Sequence, residues 1–291
     1  MSDTGGCRGT FSIVAYDPQE EEWGIAVQSK FLAVGSVVPW ARAGAGAVAT
    51  QSWANTSYGP RGLDLMEGGV SAEEVIARLT REDKDRALRQ VGVVDAQGDA
   101  AAFTGEECYD WAGHVVGEHY ACQGNILVSE HTVEAMAETF EATEGALVDR
   151  LLVAVRAGQT AGGDRRGKQS AALLVVKEKG GYGGFNDRHV DLRVDDHNAP
   201  IEELIRLAKL HYLYLGETDP DNLVKIEGEL AKEVQAILLG CGHYDGPISG
   251  KYDAATKKAF RDFVSIENLE ERWREDDLLD CVILEFMRER F

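Results

Sequence analysis

Clustered positive charge is what this sequence most lacks. Its 291 residues hold 50 Asp and Glu against 30 Lys and Arg, a formal net charge of −20. Binding to phosphates needs Lys and Arg gathered on one face, so neither nucleic acid nor an anionic membrane is expected as a partner. Long apolar runs are missing too. Nothing approaches the ~20 consecutive residues of a membrane-spanning helix. The N-terminus, Met-Ser-Asp-Thr-Gly-Gly-Cys, has no apolar core of the kind a secretory signal carries. Cysteine is sparse and irregular: Cys7, Cys108, Cys122, Cys241 and Cys281 form no Cys-x-x-Cys pair. That argues against a disulfide framework and a zinc knuckle, and the reducing cytoplasm is the expected compartment. There is no Gly-x-Ser-x-Gly elbow, no Walker loop and no His-x-x-x-His pair, so the usual serine-hydrolase, nucleotide and zinc-hydrolase motifs are lacking. No cofactor and no metal is expected.

What is present is an ordinary apolar fraction, 44%, in a chain long enough for one large domain and a small one. Residues 1–9 are Gly-rich and polar and read as a flexible arm. Thr10–Asp17 and Trp23–Lys30 read as two strands joined by the acidic turn Pro18–Glu22. Ala43–Ser52, small and apolar, suits a buried strand that another backbone or a substrate approaches closely. Gly44-x-Gly46 lacks the third glycine and the helix of a dinucleotide-binding loop. Ser71-Ala-Glu-Glu74 has the form of a capping box, with Val75, Ile76 and Leu79 on one face of the helix behind it. Gln90–Asp95 and Ala100–Thr104 read as a hairpin, and Cys122–Val128 as a strand. Helical spacing recurs at Val133–Phe140 and Leu147–Val155. Ser170–Val176 and His189–Val194 read as strands, and Pro200–Leu215 as a buried helix that is apolar nearly all round. Strand pairs alternating with helix pairs predict an α+β fold, a four-layer α-β-β-α sandwich over residues 10–216. Gly216–Asn222 reads as a linker, placed at 217–222, and residues 223–291 as a second, helical unit.

Several stretches carry a resemblance. Ser29-Lys-Phe-Leu-Ala-Val-Gly35, Val38-Pro-Trp-Ala-Arg-Ala-Gly44, Ala47-Val-Ala-Thr-Gln-Ser52, Gln123-Gly-Asn-Ile-Leu127, Gly163-Asp-Arg-Arg-Gly-Lys-Gln-Ser170 and Asp191-Leu-Arg-Val-Asp-Asp-His197 resemble Domain of Unknown Function family 1028. That family is grouped with the N-terminal-nucleophile (Ntn) hydrolases, and the resemblance implies their sandwich. In such an enzyme the first residue of the processed chain attacks an amide carbonyl with its side chain, and its own α-amine acts as base. An α-amine titrates near ~8, so it serves at neutral pH. The matching residue here is Thr10, behind Met1–Gly9, so cleavage between Gly9 and Thr10 is required. The expected site has Thr10 as nucleophile and Lys30 as the cation that lowers its pKa and steadies the developing anion. Asp164 and Ser170 resemble the supporting acid and hydroxyl of other Ntn sites. Gln51, Ser52 and Asn55 are expected to bind substrate, as are Gln123 and Asn125, and backbone N–H groups of Gly44–Gly46 are a further source of oxyanion donors. Asp191, Asp195, Asp196 and His197 suggest a metal, but Arg193 among them favours an ion-pair network.

Residues Val234-Gln235, Leu238, Tyr244-Asp-Gly246, Ile248-Ser-Gly250, Tyr252, Thr256 and Ala259-Phe260-x-x-Phe263 resemble small three-helix peptidoglycan-binding domains. The tail departs from that pattern with a charged helical run, Glu267–Arg274, and an amphipathic end, Leu278–Phe291. The expected activity is hydrolysis of a small amide or peptide, with a cell-wall peptide or peptidoglycan fragment as a partner and a homodimer or higher oligomer as the assembly. The alternative is an uncut, inactive Ntn-like scaffold that binds a ligand or self-assembles.

Overall fold

The computed structural model describes residues 9–291; the arm expected over residues 1–9, with Cys7, falls outside them except for Gly9. The opening hairpin is set by its acidic turn. Strands β1 (Thr10–Asp17) and β2 (Glu22–Ser29) pair antiparallel from Asp17 opposite Glu22 to Thr10 opposite Ser29. Every residue of both is buried, which is why their apolar residues alternate only in part. They sit at the centre of a six-stranded antiparallel sheet. β9 (Ser170–Val176) and β10 (Arg188–Val194) flank β2, and β8 (Tyr120–Asn125) and β7 (Gly113–Gly117) flank β1.

A second sheet of four strands is a meander of β3 (Pro39–Arg42), β4 (Gly46–Ser52), β5 (Arg89–Asp95) and β6 (Ala100–Thr104). The sheets meet through alternate residues: Val14, Tyr16, Ile25 and Val27 of the first against Ala47, Ala49 and Val94 of the second. Helices α1 (Tyr58–Glu67) and α2 (Ala72–Glu82) cover the outer face of the smaller sheet, with Leu63, Val75 and Leu79 over Val48, Val91 and Val93. Helices α3 (His131–Ala142) and α4 (Leu147–Thr160) cover the larger sheet. A Cβ at Gly24 would lie 2.5 Å from Leu151, so glycine lets α4 lie close on β2. The class is α+β, and the stacking runs helix, sheet, sheet, helix.

Several elements differ from expectation. The small-residue stretch is a hairpin, not one strand, because Gly44 and Gly46 take positive φ and turn the chain between β3 and β4. Strand β7 carried no signal: it is an edge strand whose residues are half-buried or exposed, so no apolar period marks it. Strand β8 begins at Tyr120, two residues before the expected start, and stops at Asn125, where Ile126 takes positive φ. Ser71 caps α2 by position but bonds no backbone N–H with its side chain. Asp95, buried in the β5–β6 turn, accepts from Ala72 N instead. Helix α5 (Pro200–Leu215) buries one stripe only, Pro200, Ile201, Leu204 and Ala208.

The chain divides into two compact units between Ala208 and Lys209, inside α5 and upstream of the stretch that reads as a linker. The second unit contains α6 (Gly228–Gly240), α7 (Ala254–Ile266), α8 (Cys281–Arg290) and a two-stranded ribbon of β11 (Leu223–Lys225) and β12 (Leu278–Asp280). Val234, Leu238, Phe260, Phe263, Ile283 and Met287 form its core. Residues 267–274 are not a helix apart from a short 3-10 turn, Glu270–Arg272. Arg272 is drawn inward to a buried ion pair with Asp280 at 2.6 Å and to the carbonyls of Tyr212 and Leu213. The four described cysteines are unpaired thiols. Among the described residues no helix is long and apolar enough to cross a membrane.

Candidate active site

Thr10 opens β1, only 4% exposed, at the end of the sheets where β2, β4 and β8 stop. Its neighbours follow from register. Ser29 lies opposite on β2 and Asn125 opposite on β8, and even-numbered β1 residues face the second sheet. The Thr10 Oγ1 and Ser29 Oγ atoms are 3.0 Å apart. Ser29 Oγ donates to the Gly9 carbonyl oxygen. The Arg166 guanidinium donates to that same oxygen through Nη2 at 2.8 Å. The carbonyl before Thr10 is therefore held by a hydroxyl and a cation, and the hydroxyl also touches the Thr10 oxygen. A hydroxyl carries one proton. With Ser29 donating to Gly9, the Thr10 hydroxyl donates to Ser29.

Asp164 holds Arg166 in place. Its carboxylate, 3% exposed, accepts from Arg166 N and Nε through Oδ1 and from Arg166 Nη2 and Lys30 N through Oδ2. Both oxygens are thus used twice. The loop is anchored to β8's continuation through the Leu127–Asp164 bridge and Arg165 N on the Ile126 carbonyl.

Beside Thr10, between the sheets, lies a layer of buried amides. Gln51 Nε2 donates to Gln90 Oε1 at 2.8 Å and to the carbonyls of Thr10 and Gln123. Ser12 Oγ donates to Gln51 Oε1, and Gln123 Nε2 to Ser12 Oγ. Asn125 Nδ2 donates to Gln90 Oε1 at 2.9 Å. Gln90 continues outward to Thr104 Oγ1, which contacts His114 Nδ1. Such a network is stable in a dry interior only when its groups are paired. Two acceptors are left over: Gln123 Oε1 and Asn125 Oδ1 have no hydrogen-bond partner among the described residues. The second belongs to the residue paired with Thr10.

The expected residues thus separate. Thr10, Asp164, Gln51, Gln123 and Asn125 meet in one cluster. Lys30 contributes its backbone N–H, but its exposed ammonium reaches the Lys168 carbonyl at 3.4 Å. Arg166 is the cation on the carbonyl beside Thr10. Ser170 Oγ is occupied with the Phe31 carbonyl and Val34 N, fastening the loop after β2. Ser52, at φ 66°, lies beside the Cys108 thiol, whose pKa burial raises and the Ser52 hydrogen bond lowers in part. Asn55 bonds Asp83, Ser57 N and Ser57 Oγ at the start of α1. Gly46 pairs with Asp95, at the opposite end of β4 from Gln51. Asp191 takes ion pairs from Arg188 and Arg193, and no group of three metal-ligating side chains occurs among the described residues.

Ser29, Arg166, Ser12 and Gln90 were not singled out from sequence. Hairpin counting finds Ser29: with Asp17 and Glu22 closing the turn, seven steps back along each strand pair Thr10 with Ser29. Lys30 lies one residue further, where a single-residue step changes the face. A cleft of about 860 Å³ lies at the other end of β1, lined by Tyr16, His119, Tyr120 and Phe140 with Arg150 stacked 4.1 Å over Phe140. Its Thr143 hydroxyl donates to the Thr139 carbonyl at the end of α3, an ordinary intrahelical bond, and its Tyr120 hydroxyl to Glu141. Thr10 instead lies beside a carbonyl held by a second hydroxyl and a cation, so the chemistry argues for the Thr10 end.

A family model described as "Family of unknown function (DUF1028)" matches residues 10–204, and one described as "Putative peptidoglycan binding domain" matches residues 214–287. A crystal structure of protein SPO2555 from Silicibacter pomeroyi, carrying the DUF1028 family label, is 33% identical with a TM-score of 0.65. The match covers 72% of this chain and 91% of that one. No curated protein matches the chain.

Proposed function

The chain belongs to the DUF1028 family, and we propose that its first unit is an amide hydrolase of the N-terminal-nucleophile type, with Thr10 as nucleophile once the Gly9–Thr10 bond is cut. The observation that carries this reading is the Gly9 carbonyl, held by Ser29 Oγ and Arg166 Nη2 beside the Thr10 hydroxyl. Thr10 Oγ1 adds to the Gly9 carbonyl carbon. Its proton passes to Ser29 Oγ as the Ser29 proton passes to the carbonyl oxygen, while the guanidinium stabilises charge on that oxygen. The C–N bond then breaks with the proton returned to nitrogen, leaving Gly9 esterified to Thr10. That step frees the α-amine; water then cleaves the ester, releasing the Gly9 carboxylate and restoring the Thr10 hydroxyl. In the cut chain that amine is the base. Ser29 and Arg166, released from Gly9, face the carbonyl oxygen of an incoming amide, and Asn125 Oδ1 is an acceptor free for a substrate N–H. The helix–sheet–sheet–helix stacking supports the reading, since it places the first residue of a buried strand between two sheets.

The second reading is an uncut scaffold that binds a ligand or self-assembles. It is favoured by the closure of the site while Gly9 is attached, with Thr10, Gln51, Gln123 and Asn125 all buried. Intact mass separates the two. The first expects loss of Met1–Gly9 on incubation, none in Thr10→Ala, and amidase activity that disappears with Thr10→Ala. A full-length mass that never changes, with no acylation of a chain made to begin at Thr10, leaves the scaffold. For the second unit we take a cell-wall fragment as the ligand, on the strength of the family match at residues 214–287.

A further inference from the structure

The geometry points to a substrate whose acyl group is unbranched at the α-carbon: a glycyl or straight-chain acyl amide, with Asp164 as the residue that enforces this choice. The inference rests on the Thr10 reading above and adds the substrate class to it.

In the uncut chain Gly9 occupies the acyl position. Its carbonyl carbon is the one Thr10 would attack, and its α-carbon stands where the α-carbon of a substrate acyl group would stand. A side chain at that position has nowhere to go. A Cβ built on Gly9 falls 2.7 Å from Asp164 Oδ1 and 2.8 Å from both Cγ and Oδ2. Such contacts are too short for carbon to keep, so either the substituent or the carboxylate must move.

The carboxylate is fixed. It is 3% exposed. Its four hydrogen bonds come from two directions, Lys30 N on one side and Arg166 N, Nε and Nη2 on the other. Turning it aside would break the pair that aims Arg166 at the scissile carbonyl, so making room for a methyl group would cost the donor that the reaction uses. Its own backbone is held by the Leu127 bridge and by Gly167 N on the Asp164 carbonyl. Since every lone-pair direction is already engaged, Asp164 does not serve as a receptor for an α-ammonium either. It is a wall against the α-carbon, and it acts on the L side, where the built Cβ lies.

A wall of this kind discriminates more sharply than a missing methylene in a soft pocket. That is worth roughly 10- to 200-fold, so a preference of about 100-fold or more is expected here. One residue then explains two selections at once: glycine before the cut, and an unsubstituted acyl carbon in the substrate.

The test uses the chain beginning at Thr10 with a free amine, given N-acetylglycyl p-nitroanilide and N-acetyl-L-alanyl p-nitroanilide. Release of p-nitroaniline and the mass of acylated Thr10 are both read. The expected result is kcat/KM about 100-fold higher for the glycyl compound. In parallel, Gly9→Ala in the full chain should slow loss of residues 1–9 by a similar factor, with far-UV circular dichroism unchanged. Equal turnover of the two anilides, or Gly9→Ala cut at the wild-type rate, overturns the inference while leaving Thr10 as nucleophile. If neither anilide acylates Thr10, the nucleophile reading falls and this inference falls with it.

Discussion

In the proposed reaction Ser29 is the residue on which the chemistry turns. Its hydroxyl bridges the Thr10 hydroxyl and the Gly9 carbonyl, so Ser29→Ala would remove a proton path and an oxyanion donor together. Loss of one such donor costs about 10²–10³ in rate. Cleavage at Gly9–Thr10, followed by intact mass over time, should slow by that factor in Ser29→Ala. An unchanged half-time would remove Ser29 from the mechanism. Asp83 shows the other use of a carboxylate, half-buried here. Burial pushes its pKa up, but hydrogen bonds from Arg89, Asn55, the Asp85 backbone and Tyr58 outweigh burial and hold it well below the ordinary carboxylate range. The unfolded chain takes up this proton near pH ~3.9 and the folded chain does not. The stabilisation is therefore complete above about pH 5 and is lost as the pH falls below about 4. Asp83→Asn should cost about 2 kcal/mol at pH 7 and flatten the acid side of a urea-unfolding series run at stepped pH. An acid side as steep as the wild type's would show that Asp83 does not set it.

Among elements, α2 shows how a local motif yields to a tertiary partner. Ser71 and Glu74 have capping-box spacing, yet the N–H of Ala72 is taken by Asp95 from another part of the chain, which also accepts from Gln97 N and Asp99 N. One buried carboxylate closes the β5–β6 turn and caps the helix. Asp95→Ala should therefore cost about 3 kcal/mol, the loss of several bonds to a buried charge. Ser71→Ala, at an exposed position without a side-chain cap bond, should cost under about 0.5 kcal/mol. Thermal or urea unfolding measures both, and equal costs would restore the capping box. The β1–β2 hairpin works in the same tertiary sense. Its turn sets a register, and the register, seven residues away, decides that a serine and not a lysine meets Thr10.

For the whole molecule, two units with separate cores predict two separable stability ledgers. Arg272 and Asp280 are 5% and 1% exposed and pair at 2.6 Å. Removing one partner of such a buried pair costs about 3–5 kcal/mol. Arg272→Ala should lower hydrogen-exchange protection in residues 209–291 and leave β1, β2 and β9 as protected as in the wild type. Protection lost equally in both units would mean that they unfold as one. A second whole-chain expectation concerns ligand. Insoluble peptidoglycan should sediment the full chain and not a chain ending at Ala208; equal sedimentation would move the cell-wall contact out of the second unit.

Much of this was legible in the sequence. Apolar periodicity and turn chemistry marked most strands and helices of residues 10–215, because those signals are local and the elements are long. They also marked Thr10 as the first residue of a strand. The edge strand β7, the break of α5 between two units and the irregular path of residues 267–274 were not legible, since each depends on what packs alongside. The site divides in the same way. The family resemblance and the chemistry of the side chains named Thr10, Asp164, Gln51, Gln123 and Asn125 as candidates one by one, together with Lys30, Ser170, Ser52 and Asn55, whose side chains are engaged elsewhere. Only strand register and loop closure decided that Ser29 and Arg166 hold the Gly9 carbonyl and that Lys30 does not, because hydrogen bonds form between atoms brought within 3 Å, and residues 20 and 157 positions apart come that close only when the chain has folded.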